Sequence, residues 1–296
     1  MSRRQPALPA RVVLVDKPAG WTSYDVIRRI KQSVRGKIGH AGTLDPFATG
    51  LLLVLLGQAT RISSLIMDLP KEYLATARFG ATSTTGDPTG EVRETGGEVE
   101  VGNLLAALDR MRGPVLQRVP MTSAVKVGGE RLYEKARRGE EIETPEREIM
   151  VYDAALLDFD QEAQTARLLF RTGKGAYIRR LAEDLGAELE AGAYLTALRR
   201  LRTGVFSVDA ACTPEDFSAE VLQGRSGSVQ PLSEALSFLP ALEVDGAAAA
   251  RAANGNELRP APEGRFRVMS AGALLGLYQG EAGTGRPLIV FPEPQD

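Results

Sequence analysis

Gly39-His40-Ala41-Gly42-Thr43-Leu44-Asp45-Pro46-Phe47-Ala48-Thr49-Gly50 is the stretch on which the rest of the chain is organised. It joins a basic amphipathic helix on its N-terminal side to a wholly apolar strand over residues 51–56. Three glycines in so short a run permit backbone geometries and close approaches that a β-carbon forbids. Pro46 biases Asp45 away from helical geometry and fixes the next φ, so the carboxylate rides on a stiff turn. The chain's only histidine, His40, lies five positions before it. For a lone Asp-Pro the plainer reading is a turn whose carboxylate bonds its own backbone. A loop on a rigid scaffold is also where catalytic groups are commonly presented.

The 296 residues suffice for one large domain and a small one, with ample core. A composition 43% hydrophobic and 25% charged is that of a globular protein in water. Apolar runs are only a few residues long, too short to span a bilayer. Met-Ser-Arg-Arg-Gln-Pro at the start has charge without an apolar signal core behind it. One cysteine, Cys212, excludes an internal disulfide framework and fits a reducing cytoplasm. One cysteine and one histidine cannot make the usual zinc sets, so no metal site is expected.

The net charge of −2 argues weakly against a nucleic-acid partner, but its distribution matters more. Residues 1–37 carry nine basic side chains against Asp16 and Asp25, and residues 117–138 carry six against Glu130 and Glu134. Arg171, Lys174, Arg179 and Arg180 form a third group. Any one such cluster is ordinarily a solvated face. Three of them, each beside a glycine-rich turn, favour a polyanionic partner.

Residues 11–15 read as a buried strand, followed by a helix that Thr22 or Ser23 can cap and Gly36 can stop. Val26, Ile27, Ile30 and Val34 give that helix its apolar stripe. Further elements are a helix over 59–69, a strand over 73–79, a polar turn-rich loop over 82–90 and a helix over 103–112. A hairpin near 123–131 feeds a helix over 132–138. Strands near 148–158 and 164–172, a helix over 177–190 and a strand over 194–203 follow. Gly, Ser and Pro accumulate from 224 to 240, which reads as a boundary, and short strand-like pieces in 241–296 suggest a small β domain. Strands and helices without strict alternation indicate an α+β fold.

Phosphate-loop and dinucleotide fingerprints do not occur, and Gly224-Arg225-Ser226-Gly227-Ser228 lacks the last glycine of a nucleophile elbow. What does occur is a set of segments in a familiar order. Leu14-Val15-Asp16-Lys17-Pro18-Ala19-Gly20 comes first, the 39–50 run second, Gly173-Lys174-Gly175-Ala176-Tyr177-Ile178-Arg179 third and Leu198-Arg199-Arg200-Leu201 fourth. Lys71-Glu72-Tyr73 and Ser123-Ala124-Val125-Lys126 lie between them. Together these closely resemble the tRNA pseudouridine-55 synthases, the TruB family. Residues 241–296 are more loosely similar to the PUA-type RNA-binding domain that many members carry. One departure is Thr122, where many relatives have an aromatic side chain; it touches no catalytic role expected from the resemblance.

The resemblance implies a catalytic domain over 1–240 on a mixed sheet, an RNA-gripping insertion near 117–146, and a PUA-like module over 241–296. It implies that the chain isomerises a uridine of the tRNA T-loop to pseudouridine, reattaching the same uracil through C5 in place of N1. No redox change accompanies that step, so no cofactor is implied. Asp45 is then the nucleophile, acting on C6 of the base or C1′ of the sugar, or as a base toward the ribose. Arg179 pairs with it and favours its ionised form. Tyr73 stacks on the target base and handles the C5 proton; Tyr177 and Leu198 line the uracil pocket. The base must be flipped out of its stack to reach a buried carboxylate, and His40 helps occupy the vacated place. Arg137 and Arg138 grip RNA. Lys17, with Pro18, either contacts substrate or braces the turn. The implied partner is tRNA, with no membrane and no obligatory protein partner, acting as a monomer in the cytoplasm. Taken singly, each of these residues has a plainer reading as packing or solvated surface. A non-catalytic RNA-binding protein is the rival class, disfavoured by Asp45, Tyr73 and Arg179 occurring together.

Overall fold

The computed structural model describes residues 8–123, 125–140, 142–218 and 227–295, with Tyr133, Arg137 and residues 292–295 described by their backbone alone. The chain opens with β1 (Arg11–Lys17), α1 (Ser23–Ser33), β2 (Ile38–Ala41) and β3 (Thr49–Leu56). A 3₁₀ turn (Gly57–Ile62) and α2 (Ser63–Asp68) lead to β4 (Lys71–Phe79) and a small hairpin of β5 (Ala81–Ser83) and β6 (Val92–Glu94). Next come α3 (Val101–Arg110), β7 (Gly113–Arg118), the β8 (Lys126–Val127) and β9 (Glu130–Arg131) hairpin, and α4 (Leu132–Arg137). Long strands β10 (Glu146–Asp160) and β11 (Thr165–Thr172) precede α5 (Ile178–Glu188), β12 (Ala193–Thr203) and β13 (Phe206–Ser207).

These strands build one ten-stranded sheet in the order β14-β1-β3-β12-β4-β11-β10-β7, where β14 is Val229–Pro231; β2 lies beside β3 and β13 beside β12. All its pairings are antiparallel except β3 with β12, where Arg199 meets Thr49 and Arg200 meets Gly50. The α+β mixed sheet expected from the sequence is therefore present. β3 explains its own composition: Leu52, Val54 and Leu56 face one core while Leu51, Leu53 and Leu55 face another. A strand buried on both faces reads as a continuous apolar run.

The first core lies under α1, α3 and α5, whose buried stripes include Val26, Ile30, Leu104, Leu181 and Leu185. Thr22 caps α1 through a capping box with Asp25, and the helix ends at Ser33, ahead of the expected stop at Gly36. The second core gathers the other face of β3 with Ile62 and Ile66.

Within the span 224–240, where composition reads as a boundary, the chain still packs with the large sheet. β14 is an edge strand of the large sheet, and Leu232, Ala235 and Leu236 of α6 (Leu232–Ala235) and its end are buried in it. Residues 219–226, which include the start of that Gly/Ser/Pro span, lie outside the described residues. The tail has β15 (Ala241–Glu243), α7 (Gly246–Ala253), β16 (Gly264–Ser270), β17 (Ala273–Glu281) and β18 (Thr284–Gln295), joined in a four-stranded sheet. It keeps a small core of its own around Phe266 and Tyr278. Met269, Leu274, Leu277 and Phe291, however, belong to the same buried cluster as Leu51, Leu53 and Leu55 of β3. The tail shares a core with the large sheet, at about 1.5–3 kcal/mol per buried leucine-sized side chain.

Candidate active site

The loop between β2 and β3 carries Asp45 and is held on three sides. On the first, Ser23 in α1 accepts a hydrogen bond from the Leu44 amide at 2.9 Å and donates to the Leu44 carbonyl at 3.3 Å. On the second, Lys17 at the end of β1 is fully buried and donates to the carbonyls of Pro18 (2.9 Å), Trp21 (2.7 Å) and Pro46 (3.3 Å). The Gly20 amide also donates to the Pro46 carbonyl, at 2.8 Å. On the third, the guanidinium of Arg200 in β12 is buried, with Nε donating to the Leu51 carbonyl at 2.7 Å and Nη2 to the Gly42 carbonyl at 2.9 Å. Gly50 has φ +101°, and a β-carbon there would lie 2.3 Å from the Arg200 carbonyl oxygen, so only glycine fits. The neighbouring Arg199 pairs with Asp16 at 2.7 Å. The residues immediately before and after Asp45 are thus fixed to β1 and α1, and the loop's ends to β12.

Into this frame α5 brings Arg179, 3% exposed. Its Nη2 donates to Asp45 Oδ1 at 3.1 Å. Nε lies 3.0 Å from Oδ2, an ion-pair distance, though at an angle that makes no hydrogen bond. Nη1 meets three acceptors: the Thr85 carbonyl at 2.9 Å, Asp87 Oδ2 at 3.0 Å and Thr122 Oγ1 at 2.8 Å. Asp87 is itself buried, accepting from the Thr89 amide at 2.9 Å and the Thr85 hydroxyl at 2.8 Å. The Arg179–Asp45 pair expected from the resemblance is therefore in place, and the Asp45 side chain keeps 32% of its surface open.

Arg179 favours the ionised form of Asp45, as expected, but burial opposes it more strongly. Burial pushes the Asp45 carboxyl up, the Arg179 guanidinium pulls it down, and the nearby Asp87 pushes it up again; the net direction is above the ordinary carboxylate value. The cation aims the carboxylate and offsets part of the desolvation, without depressing the pKa below normal. Burial and the facing Arg200 move His40 down, so its imidazole is neutral near pH 7. Burial draws the Lys17 ammonium down to about 8, against the attraction of Asp45. Its arrangement on three carbonyls is that of the brace.

Tyr73 in β4 and Leu198 in β12 are buried in the core cluster that also contains Leu44 and Ile178. Tyr177 is half-buried at the N-cap of α5. His40 sits in β2 opposite Val54, with Nδ1 buried and lacking a hydrogen-bond partner among the described residues. Arg138 pairs with Glu130 at 2.8 Å and Glu140 at 2.6 Å, so its charge is already met within the insertion. The side chain of Arg137 lies outside the described residues, as does Ala124.

Four residues of the site were not singled out from sequence as its members. From sequence, Ser23 reads only as an alternative cap, Arg200 as part of a motif without a role, and Asp87 as part of a polar loop. From sequence Thr122 reads as a departure without catalytic consequence; in the structure its hydroxyl accepts a hydrogen bond from Arg179. The Thr-rich run around Asp87-Pro88 is the one local signal, since a carboxylate among hydroxyls and amides closes its own loop.

The fold is shared with chains of two solved complexes. A chain of an H/ACA ribonucleoprotein bound to a substrate RNA containing 2′-deoxyuridine is matched with a TM-score of 0.71 at 24% identity, covering 95% of this chain and 84% of that one. A chain of a Cbf5-Nop10-Gar1 complex is matched with a TM-score of 0.72 at 24% identity, covering 96% and 84%. Sequence comparison goes further. The family model described as TruB family pseudouridylate synthase (N terminal domain) matches residues 28–178, and that of the tRNA pseudouridylate synthase B C-terminal domain matches residues 179–237. tRNA pseudouridine synthase B of Thermobifida fusca is 37% identical over 301 residues, covering 95% of this chain and 98% of the relative. The protein of the same name from Cupriavidus metallidurans is 40% identical, covering 96% of each. The chain belongs to the TruB family of pseudouridylate synthases.

Proposed function

We propose that this protein converts uridine to pseudouridine in tRNA, at position 55 of the T-loop, with Asp45 as the nucleophile. The observation that carries the reading is a carboxylate held at 3.0–3.1 Å by a buried arginine on a three-point-braced loop, yet partly open to a ligand. Family membership and the like-named relatives supply the reaction class.

In that reaction the N1–C1′ bond breaks, the uracil turns within the pocket, and C5 bonds to C1′. The proton on C5 leaves, N1 gains one, and no electrons are gained or lost overall. Asp45 forms the transient covalent bond, through C6 or C1′, and Arg179 keeps it aimed. Tyr73 is assigned to stacking on the base and to the C5 proton, Tyr177 and Leu198 to the pocket wall. His40 fills the place of the flipped nucleotide. Lys17 is assigned to bracing. Arg137 and Arg138 are assigned to RNA, Arg138 by exchanging its glutamate partners for phosphate. Residues 241–296 act as a PUA-like RNA-binding module attached through the shared core. Action as a monomer in the cytoplasm completes the reading; among the described residues no helix is long and apolar enough to cross a membrane.

The test is to incubate pure protein with an unmodified tRNA transcript and map pseudouridine. Asp45→Asn should abolish turnover while binding tRNA within several-fold of wild type, since affinity resides largely in phosphate contacts. Isomerisation by Asp45→Asn well above background overturns the nucleophile, and product only outside the T-loop overturns the position.

A further inference from the structure

Segment 117–146 and the catalytic arginine are joined by two sets of contacts at the segment's base. Gln117, 2% exposed in β7, brackets the backbone of Tyr177: its Nε2 donates to the Tyr177 carbonyl at 3.1 Å, and its Oε1 accepts from the Tyr177 amide at 2.8 Å. Tyr177 is the N-cap residue of α5, whose first turn carries Arg179. Five residues after Gln117, Thr122 accepts from Arg179 Nη1 at 2.8 Å, the shortest of that nitrogen's three contacts. The opposite edge of the same guanidinium aims Asp45. A planar guanidinium held on one edge cannot rotate without moving the other.

We propose that Thr122 is a positioning residue for the isomerisation, acting through Arg179 on Asp45, and that segment 117–146 thereby supports the reacting carboxylate as well as facing RNA. The inference rests on the proposed pseudouridine synthase activity. Asp87 and the Thr85 carbonyl restrain Nη1 from the β5–β6 side, and Thr122 restrains it from the insertion side. Two N–H groups cannot satisfy three acceptors fully, so losing the hydroxyl lets Nη1 settle toward Asp87 and draws the guanidinium off the Asp45 geometry.

The experiment compares wild type, Thr122→Val and Thr122→Ser as full-length proteins on a T-arm transcript. It measures single-turnover rate at saturating protein and, separately, the Kd. Thr122→Val, which keeps the shape and removes the hydroxyl, should slow saturated turnover about tenfold, the scale of one hydrogen bond to a charged group. Its Kd should stay within about twofold of wild type, and Thr122→Ser should restore most of the rate. The proposal is overturned if Thr122→Val turns over like wild type, if the loss lies in Kd alone, or if Thr122→Ser is as slow as Thr122→Val. A wild-type protein that forms no pseudouridine overturns the activity itself, an outcome distinct from all three.

Discussion

Ser23→Ala removes one oxygen atom and should slow the chemistry without weakening tRNA binding. Ser23 is buried, and its hydroxyl is the partner of both the Leu44 amide and the Leu44 carbonyl. Leu44, itself buried, immediately precedes Asp45. Without the hydroxyl a buried N–H has no acceptor, at a cost of about 1–3 kcal/mol. A domain with a stability of roughly 5–15 kcal/mol survives that loss, so the variant should fold. The loop can recover the lost bond only by shifting toward water or toward another acceptor, carrying Asp45 with it. A displacement approaching 1 Å at a reacting group costs on the order of 100-fold in rate, so a 10- to 100-fold slower saturated single turnover is expected.

Thr22→Ala is the matched control, one position earlier in the chain. Thr22 caps α1, accepting from the Asp25 amide at 3.0 Å, and makes no bond to the catalytic loop. Losing that cap costs about 0.5–2 kcal/mol, a comparable destabilisation. Urea unfolding gives the stabilities, and rapid-quench single turnover on tRNA gives the rates. Thr22→Ala should keep its rate while Ser23→Ala loses it. Equal slowing in both would place the effect in helix stability, and wild-type rates in both would remove the brace from the mechanism.

Two pH-dependent outcomes follow from burial. A protonated Asp45 cannot act as a nucleophile, and its carboxyl stands above the ordinary value, so the rate should begin to fall, as pH is lowered, at a pH above the usual carboxylate range near 4. The same raised value makes ionised Asp45 a cost to stability. Its favourable contribution is complete below the unfolded pKa and lost as pH rises through the folded one, so Asp45→Asn should be at least as stable as wild type at pH 7. A pH–rate profile and urea midpoints check both halves. His40 is the chain's only histidine, so its ring protons give a single assignable titration by NMR. The midpoint should lie below 6.5, and Arg200→Met, which removes the facing cation, should move it up.

The parts of this site that were legible in the sequence are those in which one stretch of chain determines the environment. Residues 51–56 read as a buried strand because both faces of β3 meet apolar neighbours. Asp45 was legible because Pro46 and the glycines mark its turn locally. The bracing was not legible, because its bonds join residues far apart: Ser23 to Leu44 across 21 positions, Thr122 to Arg179 across 57, Asp87 to Arg179 across 92 and Arg200 to Leu51 across 149. A side chain donating to a distant carbonyl leaves no period in the sequence. The tail shows the same limit in apolar form. The apolar run of β17 indicates burial but does not say that Leu274 and Leu277 join the core of the large sheet, whereas Leu275 and Tyr278 join the tail's own core.

The basic clusters need the largest revision. Counted along the chain they suggested a surface made for phosphate. In the fold, Lys17 and Arg200 are buried on carbonyls, Arg179 is buried between Asp45 and Asp87, and Arg199 is paired with Asp16. A cation that already holds a loop or a carboxylate contributes little counterion release when RNA arrives, because its charge is compensated beforehand. Lys17, Arg179, Arg199 and Arg200 are bound up in the frame around Asp45, which is why a chain of net charge −2 can carry so many cations near that carboxylate. Affinity for RNA must then come from the cations left in solvent together with shape and stacking. For this reason activity, more than binding, should be the sensitive readout of substitutions at the arginines of α5 and β12.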